Sequence, residues 1–473
     1  MRPDTRLRQV LALLAASTFV AAHAGSETTP LSPAASRLAA YLSVDTTNPP
    51  GNEHAGVEVL AGMLRNAGIA SQMLVSPQGR ANLYAVLPAT TATPASPQPG
   101  AILLLHHIDT VPPGEGWRFP PHTGEVHEGE LWGRGAIDAK GLGIAHLEAF
   151  LDLAREAQPR RRPLILLAVA DEEAGGAEGT GWLLAAHPEL FANVGLVLNE
   201  GGVNKAVAGR ALYWGIEVDQ KRPLWLEVRA AGRPGHASGA NPESATHRLI
   251  AGLARLVAAP RAWRVTPAAE AFLTALARFD PQARGALEKL RSLPAATLPV
   301  AGAGGAPAPF PLPGFESLLS DTLQVTTLAG SDRINVVVGE ARAGIDVRLL
   351  PDTDEKAFLA GLGAILGKEL TLNVILTSPA APASSSTSAD YRTLAAALAQ
   401  GGTPVVPAFI PAFTDSRYFR ARGIAAYGFS PFALDGLTLR TVHAPDERIP
   451  LAVFDRGVAT MIRAVRALAL STD

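Results

Sequence analysis

Histidine and acidic side chains follow three apolar runs of the sequence, at the point where each run ends. The runs and the groups after them are, in chain order, Ala101–Leu105 with His106-His107-Ile108-Asp109, Leu164–Ala170 with Asp171-Glu172-Glu173, and Gly195–Leu198 with Asn199-Glu200-Gly201-Gly202. Another acid, Asp138, follows the glycine-flanked string Gly133-Arg134-Gly135. Charged residues after one apolar run are ordinary, but acids and a histidine after three such runs indicate a shared site.

The residue types in these groups suit the binding of a divalent metal ion. The chain contains no cysteine, so disulfides and thiolate ligands are excluded and only histidine and carboxylate ligands remain. Such ligands suit Zn²⁺ or a similar ion. Two ions ~3.5–4 Å apart can share a carboxylate and hold the water used for hydrolysis. Because that water needs a base, one acid of the site is expected to stay free of metal.

The three apolar runs are predicted to be strands buried on both faces, which is typical of a parallel sheet covered by helices. Between the first two runs, Gly141 to Ala154 carries apolar residues at helical spacing, namely Ile144, Leu147 and Leu151. This alternation predicts an α/β fold. Ligands of an open parallel sheet bind at the carboxyl ends of its strands, so the polar groups are expected to converge there.

The middle of the chain predicts a smaller α+β unit. Its predicted elements are, in order, strand Leu224–Ala230, helix Glu243–Ala258, paired strands Asn335–Val338 and Ala343–Leu349, a helix around Asp354–Leu366, and strand Leu370–Leu376. The period of the apolar residues changes between these segments as expected for alternating strands and helices. The smaller unit is therefore predicted to be inserted into the larger one.

Composition shifts mark the predicted boundaries of the inserted unit. An extra segment from about Pro260 to Leu328 interrupts it and includes Leu293–Gly314, a Pro/Gly/Ala-rich stretch predicted to be a surface loop. The low-complexity stretch Ser378–Ser388 marks the return to the larger unit. The predicted division is a catalytic domain at 25–216 and 378–473 with an inserted domain at 217–377.

The first residues predict a cleavable export signal. Arg2, Arg6 and Arg8 precede the apolar run Val10 to Ala21, and Ala22-His23-Ala24 fits a small-residue cleavage site. The run is too short to span a bilayer. We therefore expect a signal peptide at 1–24 and a periplasmic or extracellular protein, with an uncleaved anchor helix as the alternative.

Composition favours a globular enzyme with two or three domains. The 473 residues are 47% apolar and 18% charged, which is typical of a packed chain. The formal net charge of −2 and the lack of a long basic run argue against a nucleic-acid partner. No later apolar stretch reaches transmembrane length.

Strings along the chain after residue 24 have a recognisable order and spacing. They are Asp45-Thr46-Thr47-Asn48-Pro49-Pro50-Gly51-Asn52-Glu53, His107-Ile108-Asp109-Thr110-Val111-Pro112, Trp132-Gly133-Arg134-Gly135-Ala136-Ile137-Asp138-Ala139-Lys140-Gly141, Asp171-Glu172-Glu173, Gly235-His236-Ala237, Asn335 with Arg348, and His443-Ala444-Pro445-Asp446-Glu447. This set resembles the co-catalytic zinc family that contains aminoacylase, glutamate carboxypeptidase, carboxypeptidase S and succinyl-diaminopimelate desuccinylase.

The resemblance implies a fold and a metal centre. The fold is a zinc-peptidase catalytic domain with helices on both faces of a mostly parallel sheet, plus an inserted α+β lid that mediates dimerisation. Two zinc ions are implied, with Asp138 bridging both. His107 and Glu200 would complete one ion, and Glu173 and His443 the other.

The resemblance also implies roles around the metals. Glu172 would be the general base, and Asp109 would accept a hydrogen bond from the far nitrogen of His107 and so fix its tautomer. His236 would reach across a dimer into the neighbouring site. The remaining pair, Asn335 and Arg348, would hold the substrate carboxylate, for which a planar guanidinium gives a bidentate grip.

Some positions have a structural alternative or depart from the family pattern. His236 could instead cap a turn, and Arg348 could form a structural ion pair. His106 stands where the family often has glycine and is expected to point away from the metals, because neighbouring strand residues face opposite sides. Ala139 stands where an acid or methionine is frequent. Ala412-Phe413 replaces the paired glycines of many relatives, so a differently shaped substrate pocket is expected.

The expected activity is zinc-dependent hydrolysis of an amide or peptide bond next to a free carboxylate, on a small peptide or an N-acyl amino acid. The expected assembly is a homodimer. A dipeptidase or aminopeptidase of the same family, which would recognise a free amine, is the first alternative. A catalytically inactive binding protein that kept the fold is the second.

Overall fold

A computed structural model describes residues 30–90, 100–259, 264–292 and 316–470. The predicted signal peptide and the predicted loop Leu293–Gly314 lie outside the described residues.

The described helices and strands alternate through the first half of the chain. The helices are α1 (Pro33–Leu42), α2 (Glu53–Asn66), α3 (Lys140–Arg155), α4 (Trp182–Ala186), α5 (Ala245–Ala258), α6 (Pro267–Leu276), α7 (Pro281–Ser292), α8 (Glu355–Leu366), α9 (Ala389–Leu398), α10 (Ser416–Arg420), α11 (Gly436–Leu439) and α12 (Leu451–Leu470). The strands are β1 (Ser71–Val75), β2 (Ala81–Leu87), β3 (Ala101–His107), β4 (Val126–His127), β5 (Glu130–Trp132), β6 (Leu164–Val169), β7 (Val194–Asn199), β8 (Lys205–Val207), β9 (Arg210–Gln220), β10 (Arg222–Ala231), β11 (Gly235–His236), β12 (Thr322–Ala329), β13 (Val336–Val337), β14 (Glu340–Leu349), β15 (Leu370–Thr377), β16 (Val405–Ile410), β17 (Ala425–Gly428) and β18 (Arg448–Pro450).

The larger sheet has the strand order β1-β2-β6-β3-β7-β17-β9-β16, and β8 pairs with β9. Strands β6, β3, β7 and β17 run parallel to one another at its centre, and β17 is antiparallel to β9. Strands β1 and β2 are antiparallel at one end, and β9 with β16 forms a parallel pair at the other. The mostly parallel sheet expected from the sequence is confirmed.

Helices cover both faces of this sheet. On β3, Ile102 and Leu104 join a core with α1, α2, α3, α9 and α12, whereas Leu103 and Leu105 join a core with α4 and α10. Successive strand residues point to opposite faces, so a strand covered on both sides must be apolar throughout. The continuous apolar runs therefore follow from the layered α/β fold, which is also confirmed.

The smaller sheet is antiparallel, with the strand order β12-β14-β10-β15. Alternate residues of β14 (Ala343, Ile345 and Val347) pack against α5 and α8. The intervening residues Asp346 and Arg348 point to the opposite face, which α5 and α8 leave uncovered. One face is thus a hydrophobic core and the other carries polar side chains.

Two features of the middle region differ from the sequence prediction. Strand β13 pairs with β11 and not with β14, because β10 and β12 already occupy both edges of β14. The segment predicted as an insertion contains α6 and α7. Helix α6 packs on β16 of the larger sheet through Phe272, Leu273 and Phe409, and α7 packs on α6. Thr266 caps α6 and Pro267 begins it, a start signal that the sequence carries.

The two sheets are joined directly. Strand β9 of the larger sheet continues into β10 of the smaller one, with Lys221 alone between them. Within the described residues, no helix is long and apolar enough to cross a membrane.

Candidate active site

His107 is the last residue of β3, at the carboxyl edge of the parallel strands. Its Nδ1 lies 2.8 Å from the backbone carbonyl oxygen of Asp109. A carbonyl only accepts, so Nδ1 must carry the proton and donate it. This contact orients the ring so that Nε2 faces the neighbouring acids.

Asp138 lies between two histidines, just before α3 begins. Its Oδ1 is 3.0 Å from Nε2 of His107, and its Oδ2 is 3.0 Å from Nε2 of His443. Each carboxylate oxygen therefore faces a different imidazole, as a bridging ligand requires.

Two further acids complete two overlapping groups. Glu200 Oε2 lies 3.7 Å from Nε2 of His107, and Glu173 Oε1 lies 3.4 Å from Nε2 of His443. In each group, the candidate ligand atoms lie within 4.8 Å of one another. The structure thus brings together all the residues that the sequence proposed as metal ligands, in the two sets that the resemblance implied.

The protonation of these groups fits a cation site. Burial raises the pKa of Glu200 to about 7, against the opposing effect of His107. Hydrogen bonds to Asp138 and Glu173 raise the pKa of His443 to about 10. Burial acts to lower the pKa of His107, but the adjacent Glu200 and Asp138 outweigh burial and raise that pKa well above its usual range. Glu200, His107 and His443 thus hold protons that a divalent cation would replace.

Glu172 lies beside this cluster with a different environment. The chain takes a left-handed conformation at Asp171 (φ 71°) after β6, and a short 3₁₀ turn, Glu172–Ala174, follows. Glu172 is 7% exposed, and its Oε1 has no hydrogen-bond partner among the described residues. Burial, reinforced by the negative charge of Glu200, raises the pKa of Glu172 well above its usual range. Such a carboxyl group is suited to exchanging protons.

Asp109 makes contacts that differ from the expectation. Its carboxylate lies 3.7 Å from Nδ1 of His107, and its backbone carbonyl makes the hydrogen bond instead. The carboxylate oxygens accept from the backbone N–H of Glu172 and of Glu173, each at 3.1 Å, and from Nδ2 of Asn48 at 2.8 Å. Asp109 therefore fixes the turn that carries the base and one ligand, because its oxygens are committed to those donors.

Glu447 is a positioning group to which sequence reasoning gave no role. Its buried carboxylate accepts from Arg134 Nη1 at 2.7 Å. It also accepts from the backbone N–H groups of Gly135, Ile137 and Asp138, at 3.0, 2.8 and 3.1 Å. These bonds tie the Asp138 loop to the segment that follows His443. The string that carries His443 already contained Glu447, which is the signal that could have found it.

Arg417 and Asp415 also lie beside Glu172. Arg417 Nη1 is 4.0 Å from Glu172 Oε1 and 3.7 Å from Asp415 Oδ1. Both residues are buried, and Thr180 donates to Asp415 at 2.6 Å. This buried cation partly balances two acids at the edge of the cluster. Neither residue had a role predicted from the sequence.

The predicted substrate-binding residues lie on the smaller unit. His236, in β11, and Asn335, the residue before β13, are exposed. Ala237 N–H donates to the Asn335 carbonyl at 3.1 Å. Arg348 is half-buried and donates from Nε and Nη2 to the two oxygens of Asp346, at 2.7 Å each. Among the described contacts, none joins these three residues to the metal-ligand cluster in the same chain.

The paired His and carboxylate groups fit two divalent cations, held by His107 with Glu200 and by Glu173 with His443, with Asp138 shared. Cations held there would polarise an amide carbonyl and lower the pKa of the attacking water. Glu172 is placed to accept a proton from that water and to return it to the leaving nitrogen. The arrangement suits hydrolysis of an amide bond.

Comparison with known proteins agrees with this geometry. The family profile described as peptidase family M20/M25/M40 matches residues 103–467. Aminoacylase-1A of Rattus norvegicus is 28% identical over 437 residues, covering 91% of this chain and 93% of the relative. Aminoacylase-1 of Homo sapiens is 28% identical with the same coverage. The N-fatty-acyl-amino acid synthase/hydrolase PM20D1 of Xenopus tropicalis is 25% identical over 73% of this chain and 68% of that protein.

Solved structures share the fold. Human carnosine dipeptidase 1 superposes with a TM-score of 0.66 at 14% identity, covering 93% of this chain and 97% of that one. The metallo-carboxypeptidase Sso-CP2 from Sulfolobus solfataricus gives 0.67 at 16% identity, covering 92% and 99%. With the profile match over most of the chain, these findings establish that the chain belongs to peptidase family M20/M25/M40 and is a metallo-hydrolase acting on amide or peptide bonds.

Proposed function

We propose that this protein hydrolyses the amide bond of N-acyl amino acids or of the carboxyl-terminal residue of small peptides, using two zinc ions. The observation that carries the proposal is Asp138, whose two oxygens face His107 and His443 at 3.0 Å each. Glu172 is the proposed base, because it is buried beside the cluster without a partner for Oε1 among the described residues. Similarity to aminoacylases over 91% of the chain supports the substrate class.

Recognition of a free carboxylate is assigned to Arg348 with Asn335. Arg348 lies on the face of the smaller sheet that α5 and α8 leave uncovered, and its Nε and Nη2 donate to Asp346, so Nη1 is the nitrogen proposed to bind the substrate. A guanidinium fixed in this way pays little conformational entropy when it binds a carboxylate. The proposal therefore places the free carboxylate of the substrate on the side of the smaller sheet.

A dipeptidase is the competing proposal. Human carnosine dipeptidase 1 and the di-peptidase Dug1p of Saccharomyces cerevisiae have the same fold, at 14% identity each. Such an enzyme would need a group that binds a free amine. Favouring the acylase is the 28% identity to aminoacylases over nearly the full length of both chains.

The deciding experiment compares matched substrates with metal-loaded protein. The panel contains N-acetyl amino acids, the same compounds with an amidated carboxyl group, and dipeptides with free or acetylated amines, with products identified by mass. Loss of a charged contact in a closed site costs ~2–4 kcal/mol, so amidation should lower kcat/KM by roughly thirtyfold to a thousandfold. If amidated substrates react as fast as free acids and N-blocked ones fail, the enzyme recognises a free amine, and an aminopeptidase replaces this proposal.

We also propose a homodimer through the smaller unit and export by the segment at 1–24. Exposed apolar side chains at Ile334, Val336 and Ile375 on the smaller unit support an interface there. The apolar run after Arg2, Arg6 and Arg8 supports export. Light scattering of the purified protein and fractionation of expressing cells test the two proposals.

A further inference from the structure

Phe413 lies between the two units of the molecule. It follows β16 in the larger unit, yet its ring centroid is 6.1 Å from that of Trp225 on β10 of the smaller sheet. Trp225 is the register partner of Asp346 on β14, so both lie on the face of the smaller sheet that its helices leave uncovered. The ring of Phe413 therefore packs onto the polar face that carries Arg348.

Two guanidinium groups contact this one ring. The Cζ atom of Arg348 lies 4.4 Å from the ring centroid, and that of Arg417 lies 4.5 Å from it. A cation over an aromatic face is attracted by the ring quadrupole, more strongly when water is excluded. The ring thus links the proposed carboxylate-binding arginine to an arginine that is 4.0 Å from Glu172.

The segment that carries Phe413 is held firmly. Gln220, the last residue of β9, donates to the Thr414 carbonyl at 3.0 Å and accepts from the Thr414 hydroxyl at 2.9 Å. Arg417 is fixed as well, donating to the carbonyls of Thr414 and Gly175 at 2.8 and 2.7 Å. The segment that carries the ring is thus held by hydrogen bonds within the larger unit, whereas Arg348 contacts the ring from the smaller sheet.

We propose that Phe413 is a positioning residue that sets the distance between the carboxylate-binding arginine Arg348 and the base Glu172. This inference rests on the proposed function, because it requires Arg348 to bind the substrate carboxylate. The ring contacts one face of the guanidinium and Asp346 accepts from Nε and Nη2, so Nη1 is the nitrogen left for the substrate among the described contacts. Arg417 contacts the same ring and donates to the carbonyl of Gly175, directly after the turn that carries Glu172.

The test compares variants that distinguish the effect of the aromatic ring from the effect of an apolar side chain at position 413. Phe413→Leu keeps an apolar side chain and removes the ring, Phe413→Tyr keeps the ring, and Phe279→Leu is the matched control. Phe279 is 37% exposed and its ring lies 5.8 Å from that of Tyr213, in the packing of α6 and α7. For each protein, kcat and KM are measured with an N-acetyl amino acid and its carboxyl-amidated form, and folding is checked by thermal unfolding.

For Phe413→Leu we expect kcat/KM for the free acid to fall about tenfold, the scale of a lost desolvated cation–ring contact, with part of the fall in kcat because the bound substrate is misplaced relative to Glu172. The amidated substrate should show no such fall. The Tyr variant and the control should behave like wild type. The inference would be overturned if Phe413→Leu kept the wild-type ratio of acid to amide kcat/KM, whether both values stayed the same or both fell equally. If wild type itself does not discriminate, the proposed function fails first and this inference fails with it.

Discussion

Glu172 and Glu173 are neighbours in the chain, but their carboxylates face different surroundings. Glu173 Oε1 lies 3.4 Å from His443, whereas Glu172 Oε1 faces no partner nearer than Arg417 at 4.0 Å among the described residues. Asp109 holds the backbone of both at 3.1 Å, so the turn has little freedom to exchange them. One acid is placed to bind metal and the other to move a proton.

Replacing the proposed base should separate metal binding from catalysis. Glu172→Gln should keep its metal and lower kcat by at least ~10²-fold, because an amide cannot accept the proton of the attacking water. Glu173→Gln, the matched control one residue on, should lose metal occupancy. Elemental analysis by mass spectrometry and steady-state kinetics on the same samples check both. If Glu172→Gln lost its metal and regained activity with added zinc, Glu172 would be the metal ligand and Glu173 the base.

Metal affinity should rise with pH. The pKa values of Glu200 (about 7) and His443 (about 10), with that of His107 also raised, mean that these groups hold protons when no cation is bound. A cation displaces those protons, so binding strengthens as pH increases and should still strengthen above about pH 8. Competition with a chelator across pH, and calorimetry in buffers of different ionisation enthalpy, measure the protons released.

His443→Ala gives the control for this linkage. It should bind more weakly and release about one proton fewer. An affinity that does not change with pH would contradict the assignment of protonated ligands.

The residues that could hold metal were predictable, because acids and histidines after buried strands have few structural uses. How the acids share hydrogen bonds was not predictable. The sequence shows that Asp109 lies two residues after His107. It does not show whether the carboxylate or the backbone carbonyl of Asp109 accepts the hydrogen bond from the imidazole ring. The carboxylate accepts from Asn48 Nδ2 and from the backbone N–H groups of Glu172 and Glu173. These donors come from segments that are distant in sequence and close only in the folded chain.

At the scale of elements, two short segments far apart in the chain act as one support. The loop that precedes α3 carries Asp138, and β18 follows the segment that carries His443. β18 also pairs with β5 just before that loop. Glu447 connects them through four donors. The loop that carries Asp138 is therefore held to the segment that carries His443 by a single carboxylate.

Glu447→Gln should weaken metal binding without unfolding the protein. The NH₂ group of the glutamine cannot accept from the backbone N–H groups of the Asp138 loop, so some of the hydrogen bonds that hold this loop are lost. The affinity for zinc should therefore fall by about 10–100-fold. The control is Glu130→Gln, which removes a 2.7 Å ion pair to Arg448 on the same strand pair without touching the ligands. Zinc affinity and thermal unfolding of both variants are compared. Equal affinities in the two variants would show that Glu447 serves stability alone.

Sequence patterns predicted the buried elements better than the exposed ones. The continuous apolar runs became β3, β6 and β7 within one or two residues at each end. The partner of β13 was missed because a two-residue strand carries no period by which to choose its neighbour. Helices α6 and α7 were missed because the segment from about Pro260 to Leu328 was predicted only as an insertion, without elements of its own, although α6 has a capping threonine and a first-turn proline.

At the scale of the whole molecule, His236 raises the question of which site it serves. It is exposed, and its Nδ1 lies 2.8 Å from the hydroxyl of Ser238 on its own loop. No described contact joins it to the metal-ligand cluster of its own chain. A role in a neighbouring subunit fits both observations and the proposed dimer.

Mixing two inactive proteins tests that role. His236→Ala and Glu172→Gln should each be inactive, but a heterodimer would contain one site with both groups intact, so mixing should restore part of the activity. The control is Ser238→Ala, which keeps the imidazole and should be active by itself. If subunits exchange, as shown by mass, and activity does not return, His236 does not act across the dimer.

Strands β10 and β15 have one more consequence, for the history of the chain. Leu224 near the start of β10 is the register partner of Thr377 at the end of β15, so the polypeptide leaves the larger unit and returns to it at the same spot. Domains with adjacent ends can be gained, lost or exchanged with little disturbance of their host. Apart from α6 and α7, which belong to the core on the larger sheet, the described residues of 222–377 therefore form a cassette, and a lineage could replace the proposed carboxylate-binding face whole while the hydrolytic centre stays as it is.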